Sequence, residues 1–164
     1  MKTPVFTRPA CAISAFLAAA AALAVPASAR NLVPSDPYDA RILAAYNCNK
    51  AVVGGDYSET TIARCRAEYD KTVAFARTAQ SPTPAQRSTL AIAKGLSMMT
   101  VAAGYAKIDG VMSARACQAI KGIDSALAGY VPAAPNGLEG LQTLLVNTRD
   151  EAIPKCRIGG YWPG

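Results

Sequence analysis

The chain has 164 residues, 51% of them hydrophobic, with 17 Lys and Arg against 11 Asp and Glu, five cysteines and no histidine. The missing histidine excludes Ser-His-Asp and Cys-His nucleophile arrangements, H-E-x-x-H metal sites and C-x-x-C-H haem attachment. The net charge of +6 is mild and interleaved with acids, as where Arg64, Arg66, Lys71 and Arg77 alternate with Glu59, Glu68 and Asp70, so a solvated face is expected and no nucleic-acid partner.

Lys2 and Arg8 precede an apolar run from Ala10 to Val25, which ends at Pro26 and an Ala27-Ser28-Ala29 small-residue pattern. This predicts a secretory signal peptide over residues 1–29, cleaved after Ala29. The run is shorter than the roughly 20 residues a membrane-spanning helix needs. Cys11 lies before the apolar core and would leave with the peptide, so it is not the acylated cysteine of a lipoprotein. The expected product is one exported domain, residues 30–164, with 15 basic and 11 acidic residues and no membrane span. Its expected location is the periplasm or, failing that, the extracellular space.

Export places the four remaining cysteines, Cys48, Cys65, Cys117 and Cys156, where thiols pair. No C-x2-C spacing offers a zinc site and no C-x-x-C offers a redox centre, so two disulfides are expected, with no metal and no cofactor. The first helix opens at Asp36 as N-cap with Pro37 at its first position, and Ile42, Ala45, Cys48, Asn49 and Val52 follow at helical spacing. Gly54-Gly55 stops it, and Asp56 with Glu59 reads as a capping box for the second helix. There Ile62, Cys65, Tyr69, Val73 and Ala76 keep steps of three and four, and Arg64 with Glu68 forms an i,i+4 pair. Cys48 and Cys65 are each about two turns from the bend, which brings them level in an antiparallel hairpin. Cys48 to Cys65 is therefore the first choice of connectivity, and Cys117 to Cys156 follows by elimination.

Thr83-Pro84-Ala85-Gln86 is a second capping box and launches a third helix through TLAIAKGLSMMTVAAGYA, Thr89 to Ala106. Only Lys94 is charged there, and Lys94, two glycines and several hydroxyls fit a central helix buried by its neighbours better than a membrane segment. Asp109-Gly110 ends it. Met112, Ala116, Ile120, Ile123, Leu127 and Tyr130 form the seam of a fourth helix. After the loop VPAAPNG, Asn136 and Glu139 cap a fifth that carries Leu138, Leu141 and Leu145 to about Ala152, with Pro154 as its stop. Cys156 would tether the tail so that Tyr161 and Trp162 fold back. No stretch alternates with period two, so the fold expected is all-α: about five helices in antiparallel hairpins forming a small bundle, stapled by two disulfides.

The motif GDY at 55 to 57, set between two helices, resembles the turn of a tetratricopeptide-repeat hairpin, and Met98 to Ala119, with Tyr105 before its turn and Ala114 after it, resembles a second. Cys48, Ala51 and Arg64 fill the small and aromatic positions around the first turn, the proline after the hairpin is out of register, and the second helix is longer than that repeat uses. The resemblance implies helical hairpins and, in stacked-repeat families, a groove that binds peptides or proteins without catalysis.

Three classes of function fit. The first is a non-enzymatic exported module for protein or peptide interaction or envelope structure, with Tyr38, Tyr46, Tyr161 and Trp162 as candidate binding surface and Tyr57 beside them. The second is a carrier of a small apolar ligand near Met98, Met99, Met112 and Trp162, against which stands the use of methionine to fill core gaps. The third is an enzyme built on Lys94 or on a carboxylate pair drawn from Glu139, Asp150 and Glu151. Glu139 is accounted for as a cap, adjacent Asp150 and Glu151 do not face each other on a helix, and Lys94 fits a side chain snorkelling to water.

Overall fold

The computed structural model describes residues 32–132 and 137–163; the predicted signal peptide and Asn136 lie outside them. Among the described residues there are five helices and no strand: α1 (Pro37–Val53), α2 (Glu59–Thr78), α3 (Pro84–Asp109), α4 (Ala114–Leu127) and α5 (Glu139–Ile158). The central helix α3 packs against all four others, α1 also packs against α2, and α4 against α5. Two hairpins, α1–α2 and α4–α5, thus share one axis.

The helix starts follow local chemistry. Asp36 caps α1, its carboxylate accepting from the backbone N–H of Tyr38 and Asp39 at 2.8 and 2.9 Å. Thr83 and Gln86 exchange the two bonds of a capping box at the head of α3, and Ser113 caps α4. Gly110 closes α3 at φ 69°, a left-handed position that glycine takes without the steric cost of a Cβ.

Four expectations need correction. Asp56 and Glu59 do not form a capping box. Ser58 is the N-cap of α2, Asp56 instead accepts from Ser58 and from Thr61 Oγ1 at 2.6 Å, and Glu59 turns away to an arginine. Arg64 does not pair with Glu68, whose carboxylate is taken by Lys71 at 2.7 Å. Leu138 stands at the N-cap of α5 with no side-chain bond, and Glu139 accepts from the N–H of Gly137 at 3.1 Å. Pro154 does not end α5, which runs on to Ile158. Proline removes one i→i−4 bond near the helix end, and the buried Ala152 and Cys156 on either side of it hold that last stretch on the bundle.

Both disulfides form as paired in the sequence reading, Cys48–Cys65 with Cα atoms 5.4 Å apart and Cys117–Cys156 at 5.7 Å. All four sulfurs belong to buried residues. Two disulfides in a domain of this size indicate an oxidising compartment, hence an exported chain. Around α3 the core is built from Ile42, Ile62, Ile92, Leu96, Val101, Ile120, Ile123 and Leu145, each aliphatic side chain contributing about 1.5–3 kcal/mol on burial. The hydroxyls of α3 are satisfied without water: Thr89, Ser97 and Thr100 donate to carbonyls one turn back, and Asn49 of α1 donates to Thr100 Oγ1 at 3.1 Å. That in-helix bonding lets a helix buried on nearly every side carry polar atoms. No helix among the described residues is long and apolar enough to cross a membrane.

Candidate functional site

The antiparallel order puts the last turns of α1, α3 and α5 and the first turns of α2 and α4 at one end of the bundle, here called the lower end. Arg115 of α4 locks it. Its guanidinium donates twice to Asp109 at 2.9 and 2.6 Å, once to Glu59 of α2 at 2.6 Å, and stacks 4.3 Å from the ring centre of Tyr105. A planar fork with five donors is the side chain that can join two carboxylates and a ring at once. The Arg115 hydrogen bonds hold the Asp109 carboxyl below the usual carboxylate range and push the guanidinium's own value up. Lys107 Nζ lies 5.7 Å from the Tyr57 ring centre, which ties the α1–α2 turn to the end of α3, and Cys117–Cys156 ties the end of α5 to the start of α4.

Six large hydrophobic residues are exposed among the described residues, and five of them stand at this end: Val53 at 40%, Ile108 at 39%, Val111 at 62%, Ile158 at 89% and Tyr161 at 42%. The sixth, Val33, precedes α1 at the other end. Cations accompany them. Lys50 stands one turn before Val53, Lys107 beside Ile108 and Arg157 beside Ile158, all exposed. Sequence reasoning missed this grouping, since its members are far apart in the chain; the legible trace was three helices each ending in a cation with an apolar residue one or three positions later.

The aromatic candidates are dispersed. Tyr38 is half-buried and meets Phe75 of α2 edge-on, ring centres 5.2 Å apart. Tyr46 and Tyr57 pack against the core. The tail folds back in part: Trp162 is half-buried against the core with Lys121 Nζ 5.7 Å from its ring, whereas Tyr161 stays exposed, its N–H bonded to the Cys156 carbonyl at 2.8 Å. Of the four named residues, only Tyr161 joins the exposed group at the lower end; Trp162 packs beside Lys121, two turns into α4.

The chemical candidates are likewise separated. Lys94 is half-buried, its ammonium about 4.0 Å from where a Cβ on Gly129 would stand, and burial pulls its pKa down. No carboxylate pairs with it among the described residues. Glu139 opens α5, while Asp150, three turns on, is bonded to Arg149 at 2.8 Å and Glu151 is exposed. Met98 fills the space before Gly122, where a Cβ would come within 2.7 Å of its methyl, and Met99 sulfur accepts from Thr148 at 3.6 Å. Met112 packs half-buried at the core's edge. An open groove of about 440 Å³ runs between α1 and α2, lined by Ala44, Asn47, Cys48, Arg64 and Glu68. Among the described residues no three Cys, Asp or Glu side chains gather as a metal site. No family model, curated protein or solved structure matches the chain.

Proposed function

We propose that this is a non-enzymatic exported module that works by contact, docking its lower end on another component of the periplasm or extracellular space. The observation that carries this reading is the gathering of five exposed large hydrophobic residues from three distant stretches of chain on one end of the bundle, with only Val33 exposed elsewhere among the described residues. Isolated exposed apolar side chains are ordinary, but a group set among polar residues marks an interaction surface. The two disulfides and the Arg115 clamp support it, since they fix the backbone beneath these side chains before any partner arrives and so reduce the ordering cost of binding. The hairpin resemblance to tetratricopeptide scaffolds, which bind without catalysing, agrees. Met98 and Met99 serve packing in this account, and Lys94 is a half-buried surface lysine.

Placing a photo-crosslinking phenylalanine derivative at position 111 or 158, and at position 125 on the far end as control, tests it in the producing cell. Adducts confined to 111 and 158 are expected. Equal labelling at 125, or no contact of 111 and 158 with either protein or lipid, would overturn the reading.

A further inference from the structure

We propose that the partner of the lower end is an anionic lipid surface; this rests on the contact reading above. Three features select that partner. The exposed side chains are studs at helix ends and turns, spread over the termini of α1, α3 and α5 and the α3–α4 turn, whereas the groove described above lies on the flank between α1 and α2. Protein interfaces need a desolvated, shape-matched centre, whereas a lipid headgroup layer accepts scattered apolar side chains without shape matching.

The charge is also one-sided. The acids at this end are engaged within the protein: Glu59 and Asp109 by Arg115, Asp56 by Ser58 and Thr61. Lys50, Lys107 and Arg157 form no ion pair among the described residues and stay exposed. Cations in a last helical turn also complement the helix dipole, but the dipole does not account for Val53, Ile108, Val111 and Ile158 beside them. A second copy docked face to face would set these cations against their counterparts, so self-association is disfavoured on the same ground. Tyr161, exposed at this end, completes the pattern, for an aromatic ring with a polar tip favours the boundary between headgroups and acyl chains.

Vesicle flotation decides it, using protein expressed with its own leader and recovered from the exported fraction. The probes are phosphatidylglycerol vesicles and phosphatidylcholine vesicles. Binding to the first, at least about tenfold stronger than to the second and weakened by salt, is expected. Val111→Asp with Ile158→Asp should lower it by about tenfold or more, with the melting temperature showing that the fold persists. Because the whole chain is basic, position must be separated from net charge. Lys50→Glu with Lys107→Glu should abolish the preference for phosphatidylglycerol, while Arg77→Glu with Arg87→Glu, an equal charge change at the other end, should leave most of it. Equal loss from both pairs, or no binding to phosphatidylglycerol vesicles, overturns the lipid proposal. Crosslinks from 111 and 158 to a protein, with no vesicle binding, would overturn it and leave the contact reading standing; absence of both would remove both.

Discussion

The two stapled hairpins are built differently around the same helix. In α1–α2 a short turn joins two helices that both pack on α3, and the disulfide closes a separation of only 17 residues. In α4–α5 the connection runs from Ala128 to Leu138, α5 leans chiefly on α4, and the disulfide closes 39 residues. The first staple reinforces a hairpin that its turn and its packing already specify. The second holds a helix with fewer other reasons to stay, and it does so about one turn inside the exposed end.

The two disulfides should differ most in what their loss costs. Cys117→Ser with Cys156→Ser should cost about 4 kcal/mol and Cys48→Ser with Cys65→Ser about 3 kcal/mol, from loop-closure entropy. Denaturant unfolding would measure both, and hydrogen exchange should show protection lost over α5 in the first variant but over no single helix in the second. A larger loss from the α1–α2 pair would reverse the assignment of roles.

Close packing on α3 is the next discriminator. A Cβ at Gly104 would meet both Cδ1 and Cγ1 of the buried Ile62 at 2.7 Å, a branched side chain with no room to retreat. At Gly122 the obstacle is Met98, whose methyl at 2.7 Å can swing away while its Cγ at 2.9 Å must shift slightly. Since alanine gains about 1 kcal/mol over glycine inside a helix, that gain should offset most of the cost of shifting Met98 and Gly122→Ala should lose less than Gly104→Ala. Gly104→Ala should lose about 1–2 kcal/mol to overpacking despite that gain; thermal melts of the two side by side would check it.

Acid should loosen the Arg115 junction, which bridges the two hairpins. Arg115 holds the Asp109 carboxyl low, so its contribution is fully present above the ordinary carboxylate value of about 4 and is lost as pH falls through the depressed one. The melting temperature of Arg115→Gln should accordingly fall less steeply with acid than that of the parent. The smallest effect concerns Lys94. Burial disfavours its charged form, so its cost is present below the lowered value and is relieved as pH rises toward the ordinary one. Lys94→Met should stabilise at neutral pH by less than about 1 kcal/mol, because much of that charge is solvent-screened.

Local chemistry was the part of this fold legible in the sequence. Asp36, the Thr83–Gln86 box and the Asp109-Gly110 stop act within a few residues of themselves, and the pairing of Cys48 with Cys65 needed only the helical rise and one bend. Where two nearby residues competed for one role, the reading slipped: Ser58 took the cap that Asp56 was given, because Asp56 had Thr61 within reach. Pro154 misled because its local preference for ending a helix yields to the anchoring of Cys156 by a residue far away in the chain. The lower end was hidden for the same reason. Arg115 meets Glu59 across 56 residues, and no periodicity within either helix encodes that meeting.

The bridge at Cys156 also decides what a protease can remove. Lys155 precedes this cysteine directly, so cleavage after Lys155 would sever the backbone while the fragment from Cys156 onward stayed fastened to α4 through Cys117. The nicked protein would keep Ile158, Tyr161 and Trp162 attached until the bridge is reduced or the chain is cut again after the exposed Arg157.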